Sequence, residues 1–313
     1  MAKLKDKIQN ALDEGRMLVL GSQVLLGFQF RSVFEPVFQK LPQSAQYLKL
    51  TGLTLMLIAI GLLLSPGAHH RIVEEGEDTE RQHAFTSRVM DWALLPFALA
   101  LGIDLYVSVN HSAGRAWGIA AGLGGSLFAL FFWYGLEFIS KPAHRHENQE
   151  GEMSEQEKPE DESGGTKLTD KIKHVLTETR VVLPGAQALL GFQFVTTLME
   201  AFEKLPASSK YVHLVSLMMV AISIVLLMTP AAYHRIVEEG EETEHFHRFS
   251  SRVLVIAMIP LALGVCGDFF VVMRRIVTSS TASLIAASAM LVFFYGLWFG
   301  LTIYRRQHSE QRA

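Results

Sequence analysis

The chain has 313 residues, half of them hydrophobic and 19% charged, with a formal net charge of −3 at pH 7 and a mean hydropathy of +0.25. The charges sit in short blocks between runs of about twenty mostly apolar residues, the length a helix needs to cross a bilayer core. The lone cysteine, Cys266, excludes an intrachain disulfide or a cysteine-built metal site, and the lack of a large basic patch argues against a nucleic-acid partner.

The start, KLKDKIQNALDEGR, puts Leu4, Ile8 and Leu12 on one stripe and charge on the other. This pattern predicts a helix lying along the membrane surface rather than a cleavable signal peptide. Leu168, Ile172 and Val175 predict a second such helix at 167–178. Four candidate spans follow the first, at roughly 17–38, 45–65, 85–109 and 116–139, and four follow the second, at about 181–202, 211–229, 249–273 and 278–303. Pro66 and Pro230 are expected to start new helices capped by Ser65 and Thr229, and Pro96 and Pro260 to be tolerated inside span three.

The two sets of spans are one unit written twice. At an offset of 164 residues LLGFQF (25–30) meets LLGFQF (189–194), and Ala68–Glu80 matches Ala232–Glu244 at 11 of 13 positions. The eight letters HRIVEEGE recur unchanged at His70–Glu77 and His234–Glu241. The fold class expected is all-α, a polytopic membrane bundle of eight helices from two parallel four-helix repeats. The repeats are 1–146 and 167–313, joined by an acidic linker at 147–166 whose composition predicts disorder. Four spans per repeat give both copies one orientation, and the Lys and Arg distribution places both termini and both blocks in the cytoplasm. The expected location is an inner (cytoplasmic) membrane, with lipid as the main partner and further copies of the chain as an alternative one.

Within the spans, Asp104 and Asp268 occupy matching places, and intramembrane acids mark proton or cation paths by default. The alternative is a carboxylate near the span end reaching for water or an Arg, as Glu35 would reach Arg31. Gln23 and Gln187, followed by Gln29 and Gln193 beside Gly27 and Gly191, are transport candidates that serve equally as interhelical hydrogen-bonding groups. The small residues Gly118, Gly122 and Gly125, with Ser279, Ser283 and Ala286 in the second copy, predict that span four forms the seam between halves. His213 is the histidine nearest a span and is unmatched by a histidine in the other copy, so buried haem ligation is not expected. No phosphate loop or nucleophile-and-base set is present, so neither a nucleotide cofactor nor an enzyme is expected.

Each repeated block reads as a hairpin broken at Gly76 or Gly240, with Thr79 or Thr243 capping the next helix. It gathers His70, Arg71, Glu74, Glu80 and His83 in the first copy, and His234, Arg235, Glu238, Glu244 and His247 in the second. Three readings stand open: a divalent metal held by the two His and two Glu, a cytoplasmic pH sensor, or a solvated hairpin with His70–Glu74 and Arg71–Glu75 pairs.

The pattern E-x-R-x(4)-G-x-Q-x-L-x-G-F at 14–28 and 178–192, with P-x-x-x-H-R-I at 66–72 and 230–236, resembles a bacterial membrane family under a domain-of-unknown-function label. Its members are typically single four-span units, some bearing a sodium:proton antiporter name. The matching positions are Glu14, Arg16, Gln23, Gly27, His70 and Arg71, and Glu178, Arg180, Gln187, Gly191, His234 and Arg235. Residues and resemblance together lead to a proton- or cation-handling transporter or channel. The alternative is a non-transporting membrane protein whose hairpins bind a metal or a protein partner.

Overall fold

A computed structural model describes residues 4–77, 79–135, 167–238 and 243–310. The linker expected at 147–166 and the second block from Glu239 to Glu242 lie outside them. The first repeat comprises α1 (Leu4–Ser32), α2 (Gln43–Ile72), α3 (Glu80–Ala113) and α4 (Arg115–Leu130), which continues through a π turn at Phe131–Gly135. The second comprises α5 (Leu168–Thr197), a single turn α6 (Glu200–Glu203), α7 (Ala207–Ile236), α8 (Glu244–Val277), α9 (Ser280–Tyr295), a π turn at Gly296–Gly300, and α10 (Leu301–Glu310). Among the described residues there is no strand.

Among the described residues, six helices are long and apolar enough to cross a membrane: α2, α3, α4 to Tyr134, α7, α8 and the continuous α9–α10. By length and composition these are candidate membrane spans. The two first helices, α1 and α5, match the others in length but are not among the six. Ser22, Gln23 and Gln29 interrupt α1, and Thr177, Glu178, Gln193 and Thr196 interrupt α5, all of them buried. Such groups are tolerated because they are buried against other helices, with α1 and α5 lying against one another.

Three expectations are corrected here. The surface helices at 3–14 and 167–178 are the first turns of α1 and α5, and in α5 the stripe residues Ile172 and Val175 are buried in the bundle. No turn chemistry separates them from the spans. Pro66 and Pro230 lie inside α2 and α7 rather than starting helices. Pro66 has no N–H for the Leu62 carbonyl, and the Ser65 hydroxyl donates to that carbonyl instead at 2.8 Å. The caps are as expected: Thr79 and Thr243 each accept a backbone N–H three residues on, from Gln82 and Phe246, at 3.0 Å. Gly76, at φ +85°, ends the first hairpin turn, its N–H donating to the His70 carbonyl.

The third correction concerns the seam. Gly118, Gly122 and Gly125 of α4 lie against Asn110, Tyr106 and Leu105 of α3, within one repeat. The halves meet chiefly along α1 and α5, and among the described residues only the second repeat's fourth span, of the two, reaches the other half. Phe192 of α5 sits over Gly27 so closely that a Cβ there would lie 2.0 Å from its ring, and the Gln23 side chain rests on Gly185. The second repeat also reaches across: Trp298, in the π turn after α9, is buried, stacks on Phe294 and donates its indole N–H to the Gly61 carbonyl of α2 at 2.8 Å. Burial follows this layout, with 67% of the apolar window of α8 inside the protein against 17% for α4, which lies at the rim.

Candidate functional site

Ionisable groups are buried at both ends of the bundle. At the end bearing the repeated blocks, the last turn of α2 points His70 and Arg71 across the seam at Glu178 of α5. The His70 Nδ1 lies 2.5 Å from Glu178 Oε1, and Arg71 Nε donates to Oε2 at 2.6 Å. All three side chains are at most 4% exposed. The Arg71 NH1 also donates to His247 Nε2 of α8 at 3.3 Å and approaches Ser251 at 3.4 Å. Glu178 stands about a third of the way along α5, ahead of the run from Val181 to Phe194. Burial alone would push its carboxyl up, but the Arg71 charge, with His70 beside it, outweighs burial and holds it at about 2.

Around this core, further ion pairs tie the first block to the second repeat, Lys171 to Glu77 and Arg306 to Glu75, the latter at 2.6 Å. These groups line a polar vestibule at the block end, with Arg71 and His247 in its wall. A second, apolar cavity between the repeats is walled by residues such as Leu63, Met90 and Met258, and Glu178 borders it. Glu178 therefore stands between a polar vestibule and an apolar interior. Next to it, His69 and Gln82 form a separate buried pair at 2.7 Å, and Gln82 donates onward to Thr86 and to the Pro66 carbonyl.

At the far end each repeat builds a second group. In the first, the Gln29 amide donates to Asp104 Oδ2 at 2.6 Å and the Lys49 ammonium to Oδ1 at 2.7 Å. In the second, Gln193 donates to Asp268 Oδ2 at 2.5 Å and His213 Nδ1 lies 2.8 Å from Oδ1. A small cavity opens beside the second group, lined also by Phe30 of α1 and by Phe34 just after it.

The expected metal quartets do not assemble. His70 turns to Glu178 rather than to Glu74, Glu80 is exposed, and Arg71 leaves Glu75 to Arg306. In the second copy, Glu238 accepts from Thr243 at 2.9 Å and Glu244 pairs with Arg248, 3.9 Å from His247. His83 is half-buried, His234 packs on the Phe246 ring and Arg235 is exposed. Among the described residues, no three His, Cys, Asp or Glu side chains are placed to hold a metal ion. The i,i+4 pairs expected within the block are likewise replaced by pairs across the seam, whereas Arg31–Glu35 forms at 3.0 Å. Gln23 is buried in the seam, while its counterpart Gln187 is exposed.

Sequence reasoning missed Lys49 and the part played by His213. The signal was present: at the offset of 164, His213 lies opposite Lys49, so the position holds a nitrogen base in both copies.

A model of the family of unknown function DUF6328 matches residues 2–137 and again 161–302. The chain belongs to that family. Each DUF6328 segment spans one of the four-helix units, so the family's repeat and the structural repeat coincide. No curated protein and no solved structure matches the chain.

Proposed function

We propose that this DUF6328 protein moves protons across an inner membrane, with its block end in the cytoplasm. One observation carries the reading: a histidine is in contact with a buried carboxylate at each end of an apolar bundle, His70 with Glu178 and His213 with Asp268. Buried ionisable groups are costly in a membrane bundle, and chains of Asp, Glu and His there serve proton relays. The block-end vestibule supplies a wet approach to Arg71 and His247, and beyond them Glu178 borders the apolar cavity. The proton is favoured over a metal cation because the carboxylates of Glu178, Asp104 and Asp268 each already hold a nitrogen partner within 2.8 Å. An alkali or divalent ion needs a cage of free oxygens. The excess of Lys and Arg at the block end supports its cytoplasmic placement.

The test is proton flux into sealed proteoliposomes holding a pH-sensitive dye, with an imposed pH gradient. The proposal expects wild-type flux well above that of protein-free vesicles, and a fall of at least tenfold in His213→Ala and His70→Ala. Flux equal to that of empty vesicles overturns it. That outcome favours a non-transporting protein, a reading that draws on the ion pairs clamping the first block to the second repeat.

A further inference from the structure

Resting on the proton reading, we propose that His213, Asp268 and Gln193 form a proton-binding site, and that the first repeat carries the same site with its cation built in as Lys49. The two groups share one plan. In each, a glutamine of the repeat's first helix donates to Oδ2 of the aspartate, at 2.6 and 2.5 Å, and a nitrogen from the second helix meets Oδ1, at 2.7 and 2.8 Å. All three positions correspond at the offset of 164. The groups differ in exposure, 14% and 23% for Lys49 and Asp104 against 4% and 5% for His213 and Asp268, and above all in the nitrogen: an ammonium in one, an imidazole in the other.

That difference decides what each site binds. A carboxylate taken out of water needs a compensating charge. Lys49 brings its positive charge with it, so the Asp104 site is already neutral. A neutral His213 brings none, so the Asp268 site becomes neutral by taking one proton from water. The proton is then shared between an imidazole nitrogen and a carboxylate oxygen, and no bond between heavy atoms changes. Asp268 and His213 are 4–5% exposed, so bulk solvent screens the missing charge poorly.

The surroundings add no rival charge. His213 meets Asp268 from α8, the Gln193 carbonyl from α5 at 3.3 Å, Phe202 from α6, and, across the cavity, Phe30 of α1 and Phe34 just after it. Arg275, further along α8, is turned to the Val33 and Ala201 carbonyls and the Phe34 ring. Lys210 lies a turn earlier on α7 and is half-buried. The Gln193 Oε1 is buried at a residue 3% exposed and, like the Gln29 Oε1 of the first group, has no hydrogen-bond partner among the described residues. It is an acceptor free for a water delivering the proton. Because Phe30 and Phe34 of the first repeat help to wall the cavity, the fit between the repeats governs access to the site.

The experiment is a histidine-nitrogen NMR titration of the full chain in lipid nanodiscs, from about pH 4 to pH 10, a window centred on the ordinary histidine range. Among the signals of the twelve histidines, the expected result is one that titrates, disappears in His213→Lys and in His213→Gln, and moves by at least about one pH unit in Asp268→Asn. Lys49→His should add a second titrating signal of the same kind. A His213 ring that keeps one protonation state throughout, or a Lys49→His chain without the added signal, overturns the inference. Titration without flux in proteoliposomes leaves the site standing and removes transport. Flux with a silent His213 does the reverse.

Discussion

The two HRIVEEGE blocks are identical in sequence and differ in company. In the first, His70 and Arg71 are buried and locked onto Glu178 across the seam. In the second, His234 packs on Phe246, Arg235 is exposed, and Glu14, the counterpart of Glu178, is exposed as well. The neighbours account for this. Phe192 covers Gly27, but nothing lies within 4 Å of a Cβ added at Gly191, so α1 and α5 do not cross symmetrically. Where the first copy has His69 hydrogen-bonded to Gln82, the second has Tyr233 stacked near Phe246. Trp298 docks on Gly61, whose counterpart is Val225, and the counterpart of Trp298 is Glu137, which lies outside the described residues. Duplication copied the hairpins; divergence of their neighbours made one of them an interface.

Substitutions can break this contrast, and the largest effect is expected at Glu178. Glu178→Ala strands the buried Arg71 and should cost about 3–5 kcal/mol in unfolding measured in detergent, whereas Glu14→Ala should leave stability unchanged. The pH dependence has a definite sign. A carboxyl held at about 2 contributes stability that is complete above its ordinary 4.5 and lost as pH falls towards 2. Glu178→Gln should remove that acid-side slope. Equal losses for Glu14 and Glu178 would contradict the contrast.

A smaller effect is expected at Gly61. A Cβ added there would lie 2.6–2.7 Å from the Phe293 and Phe294 rings, so Gly61→Val should overpack the joint by about 1–3 kcal/mol. Val225→Gly, on an exposed face, should leave that joint intact, and matched denaturation curves check both. The smallest effects should be symmetric. Thr79→Ala and Thr243→Ala each remove one cap and should cost about 1 kcal/mol alike, by thermal unfolding. Unequal costs would mean that the hairpins themselves differ.

What could be read in advance follows the same division. The caps at Thr79 and Thr243, the break at Gly76 and the Arg31–Glu35 pair depend on residues within a few positions, and the sequence showed them. The duplication and the apolar helices were legible for the same reason. The cross-repeat partners were not, because Glu178 lies 108 residues from His70 and only the assembled bundle brings their side chains together. The seam was misread because small residues permit close packing without naming the partner, and α4 spends its glycines on α3. Pro66 was misread because its helix continues through the substitute bond from Ser65, which local rules for proline do not include.

The central claim is that protons pass through the histidine–carboxylate sites of a membrane bundle, with the far-end site of the second repeat able to release its charge. Proton flux in proteoliposomes of His213→Lys tests it most directly. That substitution gives the second repeat the fixed ammonium already present in the first, and the account predicts at least a tenfold loss of flux in a chain that still folds. Flux unchanged from wild type would contradict it.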